Sequence, residues 1–119
     1  MKTVNLFIIR GDDQWYTVDF KDKNGDPFDI TGWTIYFTLK SDLDDTDANA
    51  VLKKDVTSHY DPSNGLTKIH LINTDTINLD VRNYYYDMQV KKVTGVVETV
   101  FTIIKGIFTV KQDITQRIT

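Results

Sequence analysis

Polar and apolar positions alternate along much of this chain. Tyr84-Tyr85-Tyr86-Asp87-Met88-Gln89-Val90 sends Tyr84, Tyr86, Met88 and Val90 to one side and Tyr85, Asp87 and Gln89 to the other, the mark of a half-buried strand. Lys91-Lys92-Val93-Thr94-Gly95 leads into a second β-rich run from Val96 to Val110. Together they predict a long hairpin turning near Thr94-Gly95. In that second run Val97, Thr99, Phe101 and Ile103 share one parity, and Phe108 and Val110 share the other. One register cannot bury both groups, because a one-residue shift flips every side chain. A β-bulge is therefore predicted at Lys105-Gly106, where glycine tolerates the extra twist.

Earlier segments follow the same period. Residues 3 to 10 predict a strand, closed by turn chemistry at Gly11-Asp12-Asp13. Gln14 to Lys21 places Tyr16, Val18 and Phe20 inward and Trp15, Thr17 and Asp19 outward. The Asn24-Gly25 step and Pro27 make a tight connection. Trp33 to Lys40 has the cleanest alternation, with Trp33, Ile35, Phe37 and Leu39 inward and Thr34, Tyr36, Thr38 and Lys40 outward; it is expected to pair across the core with the Tyr84 strand. Ser41 to Asn49 reads as an acidic loop, Val51 to Val56 as a weak strand, Asp61 to Gly65 as a turn, and Leu66 to Ile72 as a strand. Asn73 to Asn83 has room for one short helical turn, with Leu79 plugging the core. Seven or eight short strands without an amphipathic helix predict an antiparallel all-β sandwich rather than a βαβ fold.

A chain of 119 residues is enough for one sizeable core, so residues 1–119 are expected to form a single domain. The 40% apolar and 26% charged content is that of a globular protein. No apolar run approaches the roughly 20 residues of a spanning helix, and the N-terminus reads as a first strand, not a signal peptide. Cysteine is absent, which excludes disulfides and thiolate metal sites and fits intracellular synthesis. A net charge of −3, with basic pairs only at Lys53-Lys54 and Lys91-Lys92, gives no reason to approach a phosphate backbone. Neither nucleic acid nor a membrane is an expected partner.

The candidate chemistry is sparse. Asp42-Leu43-Asp44-Asp45-Thr46-Asp47 offers hard oxygen ligands but lacks the glycine of a calcium loop, and Lys53 stands where a bidentate Glu would close it. A solvated loop is the preferred reading. Asp22, Asn24 and Asp26 are explained by turn geometry. His59 and His70 have no partner at metal-ligand spacing, and His70 is expected to face solvent. Ser58 beside His59 is adjacency, not a dyad. Asp87 and Glu98 are expected outward, where burial cannot tune them for glycosidase work. No catalytic, metal or cofactor residue is assigned. Trp15, Tyr36 and Tyr85, however, occupy outward positions of three strands. They are the candidate interface: if neighbouring strands bring them together, they suit a protein contact or stacking on sugar rings.

Tyr84 stands five residues after Leu79 at the start of a strand, where immunoglobulin-like sandwiches carry a tyrosine corner whose hydroxyl bonds back to upstream backbone. Several stretches in order resemble the immunoglobulin-like modules of bacteriophage tail and baseplate proteins, above all the amino-terminal modules of upper baseplate proteins from phages of Gram-positive bacteria. They are Ile9-Arg10-Gly11-Asp12-Asp13, Asp22 to Gly32, Tyr84 to Gln89, and Gly106-Ile107-Phe108-Thr109-Val110 with Asp113-Ile114-Thr115. The resemblance implies a non-enzymatic virion or prophage protein, made in the bacterial cytoplasm and assembled into a tail or baseplate. Its partners would be other tail proteins or copies of itself. The alternative is an adhesion module that binds glycans of the host surface. Such modules often precede further domains, whereas this chain ends nine residues after Val110, which is expected of a free-standing tail accessory.

Overall fold

The computed structural model describes residues 2–114; Thr115 of the last motif lies outside them. Among the described residues there are eight strands: β1 (Lys2–Thr3), β2 (Leu6–Ile9), β3 (Gln14–Asp19), β4 (Thr34–Lys40), β5 (Leu52–Val56), β6 (Leu66–Leu71), β7 (Asn83–Thr94) and β8 (Val97–Lys111). One helical turn, α1 (Asn73–Thr76), precedes β7. A six-stranded sheet runs in the order β1-β8-β7-β4-β5, with β2 also along β8, and β3 and β6 form a two-stranded sheet.

Period-two burial builds the core as the alternation predicts. Ile35, Phe37 and Leu39 of β4 lie beside Tyr84, Tyr86, Met88 and Val90 of β7, with Phe108 and Val110 of β8 and Ile8 of β2 on the same face. Val18, Ile69 and Leu71 of the small sheet join them in one buried cluster, with Tyr16, Phe20 and Leu79 packed at its margin. Each fully buried aliphatic or aromatic side chain contributes about 1.5–3 kcal/mol before chain entropy is counted.

Three expectations are corrected. First, β4 does not face β7 across the core. The two are hydrogen-bonded neighbours, with Phe37 opposite Met88 and Leu39 opposite Tyr86; alternation tells which side of a strand is buried, not which strand lies beside it. Second, the large sheet is not wholly antiparallel, because β1 and β2 run parallel to β8. Parallel neighbours need a long connection between them, and the first and last strands have nearly the whole chain for it. Third, the register shift in the hairpin lies two residues before the expected place. Met88 is opposite Ile104 and Gln89 opposite Thr102, so Ile103 is the extra residue.

Gly106 therefore serves a different purpose. The chain leaves the sheet between β1 and β2 and crosses directly over Gly106, where a Cβ would collide with the Val4 carbonyl. That crossing is held by three hydrogen bonds. The Val4 N–H donates to the Lys105 carbonyl at 2.9 Å, the Ile107 N–H to Asn5 Oδ1 at 3.1 Å, and the Tyr86 hydroxyl to the Val4 carbonyl at 2.5 Å. Glycine is required for close approach of two backbones.

The β7–β8 hairpin turns through Gly95-Val96, between the paired Thr94 and Val97, with Gly95 at φ 62°. A two-residue loop with glycine leading matches the twist of the strands. β4 accompanies β7 only as far as Lys91, and β1 meets β8 only from Ile104 onward. Past those points the hairpin continues as a two-stranded arm. Its base is anchored by Trp33, which meets Phe20, Phe28 and Phe101 at ring-centroid distances of 5.6, 6.3 and 6.2 Å.

Candidate functional site

The outward residues of β4, β5, β7 and β8 line a concavity of about 1000 Å3 on the large sheet. Alternation dictates its character, since the partners of the core residues on these strands are polar. Four lysines (Lys40, Lys53, Lys91 and Lys105) and three carboxylates (Asp55, Asp87 and Glu98) share the surface with Gln89, Thr38 and Thr102. Lys91 donates to the Tyr36 hydroxyl, and that bond, together with the fields of Tyr36 and Glu98, raises its ammonium above the ordinary lysine range. Such a surface can hold a polar partner through many weak charged and hydrogen-bonded contacts.

Tyr36 and Tyr85 both lie in this concavity, yet they do not touch. Tyr36 pairs with Gln89, while Tyr85 pairs with Lys40, so they stand four residues apart along the strands, about 13 Å at ~3.3 Å per residue. Thr38 and Asp87 come between them. The face thus carries two separate aromatic posts in a polar field, not an apolar patch.

Trp15 is elsewhere, on the outer side of β3. The residue is 56% exposed, and its ring stacks on the cross-strand His70 at 3.8 Å and 4°. Lys68 continues the row, with its ammonium 5.7 Å from the Trp15 ring and 4.5 Å from that of Tyr60. His70 is accordingly half-covered instead of free in solvent. His70 was missed as a neighbour of Trp15, because only the β3–β6 register reveals it.

The remaining candidates resolve into structure. Both ring nitrogens of His59 are engaged, Nε2 with the Trp33 carbonyl at 2.7 Å and Nδ1 with Thr67 Oγ1 at 2.8 Å. A carbonyl can only accept, so Nε2 carries a proton. Asp22 Oδ1 accepts from the Asn24 and Asp26 N–H groups, closing its turn. In the acidic loop the Asp42 N–H donates to Asp45 Oδ2 at 3.3 Å. No group of three His, Asp or Glu among the described residues is placed to hold a metal ion. Nor is any helix there long and apolar enough to cross a membrane. The Tyr84 hydroxyl donates to the Asp80 carbonyl at 2.9 Å, one residue beyond Leu79, and burial followed by the Asp80 charge raises its pKa.

This is a nearly all-β fold, a large mixed sheet whose first strands run parallel to the last one, with a small two-stranded sheet that shares its buried cluster. The N-terminal domain of phage TP901-1 ORF48 has a similar structure, with a TM-score of 0.55 at 18% identity over 91% of this chain and 83% of that one. At that identity the likeness concerns the fold. No family model and no curated protein matches the chain.

Proposed function

We propose that the chain is a non-enzymatic structural module of a phage or prophage tail or baseplate, acting through protein–protein contacts. The observation that carries this is the shared fold with an amino-terminal domain of a phage protein over most of both chains. The short motifs that resemble phage tail modules agree with it. An immunoglobulin-like assignment of residues 1–119 as one domain is supported by topology. The order β8-β7-β4-β5, with β3 and β6 in a second sheet that shares its buried cluster, is consistent with the extended GFC sheet of a variable-type sandwich and its partner sheet. Tyr84, bonded back to Asp80, supplies the corner. In this reading Tyr36 and Tyr85 belong to one contact surface and Trp15 to another, and the site of action is the virion tail.

Co-expression with the tail proteins encoded beside it tests the proposal. A complex of fixed stoichiometry by light scattering, weakened by Tyr36→Ala with Tyr85→Ala or by Trp15→Ala, is the expected result. Failure to bind any of them would count against it.

The concavity also favours a second reading. Two tyrosine posts among hydroxyls, amides and charges suit a glycan of a bacterial surface. Saturable binding on a glycan array, lost in Tyr36→Ala, would select adhesion over assembly.

A further inference from the structure

The hairpin arm presents a strand edge that the rest of the large sheet does not. Beyond Ile104, where β1 begins to pair, no strand among the described residues lies along the outer side of Val97–Ile103. Other margins of this sheet are guarded. On β5, Lys53, Lys54 and Asp55 stud the edge, and charges there discourage strand addition. On β2, the Phe7 carbonyl accepts from the Tyr16 hydroxyl at 2.9 Å and the Ile9 carbonyl from the Asp12 N–H at 3.0 Å. The Val97–Ile103 edge carries a single charge, Glu98, and among the described residues no turn hydrogen bond occupies its carbonyls. Six of its seven residues are β-branched or aromatic, the seventh is Glu98, and it contains no Lys, Arg, Pro or Gly. It is also exposed, Val97 at 59% and Val100 at 51%. A two-stranded ribbon is marginal in water on its own, so an arm of this kind gains most from a third and fourth strand.

We propose that this edge joins two copies of the chain, paired antiparallel through Val97–Ile103 about a two-fold axis at Val100. The segment is self-complementary in that register. Glu98 falls opposite Thr102 of the second copy, Thr99 opposite its Phe101, and Val100 opposite itself, so no like charges meet. Among the described residues, the proposed pairing stops one residue short of Ile104, where β1 takes up its own pairing. The contact is isologous and closed, and it consumes the edge instead of propagating it. This deepens the assembly reading by naming one partner, a second copy of the chain.

The chain has no cysteine, so Val100→Cys introduces a single thiol. Directly opposed Cα atoms in an antiparallel pair are about 4.5–5.5 Å apart, within the about 4.4–6.8 Å a disulfide spans. Mild oxidation of V100C should give a covalent dimer. V97C should stay monomeric, since two copies of position 97 would lie about 20 Å apart along the strands. Light scattering of the unmodified chain up to about 1 mM, where weak pairs are populated, should show mass rising toward a dimer. V100K, which sets two ammonium groups face to face, should abolish the rise; Val81→Lys, at an exposed position two residues before β7 begins, should not. A chain that remains monomeric, equal cross-linking of V97C and V100C, or a dimer indifferent to V100K would each overturn the proposal. A monomer that still binds tail proteins would end this pairing and leave the assembly reading standing, while a dimer that binds none would do the reverse.

Discussion

Gly106→Ala separates two explanations of one glycine by the sign of its effect. Were Gly106 only a site of extra twist, Ala would be tolerated: its φ is not positive, and removing glycine's freedom from the unfolded chain stabilises by about 0.4–1 kcal/mol. The structure predicts the opposite. The new methyl would meet the Val4 carbonyl, which is backbone and cannot rotate aside, so the crossing at Val4-Asn5 must lift. Three hydrogen bonds hold that crossing, from Val4 to Lys105, Ile107 to Asn5, and Tyr86 to Val4. At about 0.5–1.5 kcal/mol each, their loss costs about 1.5–4.5 kcal/mol. Urea unfolding at low protein concentration, followed by tryptophan fluorescence, measures it. Hydrogen exchange should show β1 losing protection while β4 and β7 keep theirs. A G106A chain as stable as the parent, or more so, would refute the reasoning.

Tyr84→Phe keeps the ring and deletes the bond to Asp80, so it should cost about 0.5–1.5 kcal/mol in the same urea assay. An unchanged midpoint would count against the corner. Arg10 binds Asp113 Oδ1 at 2.8–2.9 Å, and the Asp113 side chain is only 5% exposed against 23% for Arg10. Arg10→Ala strands a buried carboxylate and should cost about 3–5 kcal/mol, more than Asp113→Ala, whose orphaned guanidinium can reach water; the reverse order would contradict the burial. Tyr16 and Tyr86 are pushed up to about 12, mainly by burial. Both phenols stay protonated in the fold while unfolded tyrosine ionises near 10. Their stabilisation is therefore complete below about pH 10 and lost as pH rises toward 12, and Tyr16→Phe with Tyr86→Phe should flatten that alkaline fall in the urea midpoint.

What the sequence made legible was local. Alternation on β4 and β7 named the buried face residue by residue, because side-chain direction is fixed by period two whatever the neighbour. The parity conflict in β8 likewise demanded a bulge. Its position differs from the expected one, since glycine is the usual tenant of such a kink, and nothing near Gly106 reveals that Val4, about a hundred residues earlier, comes to rest on it. The same limit governs the candidate surface. Trp15, Tyr36 and Tyr85 were each assigned to the outer side from parity alone. Whether they share a face depends on register and sheet membership, which are non-local; Tyr36 and Tyr85 do, and Trp15 does not. The parallel pairing of β2 with β8 is equally invisible, because no turn connects them to constrain direction.

The most direct test of a tail role is to look at the particle. Antibody against this chain, applied to phage or induced prophage particles from the source strain and viewed by immunogold electron microscopy, should label one end of the tail at a regular site. Particles that carry no label, in a preparation where Western blotting finds the chain only in the unassembled fraction, would contradict it.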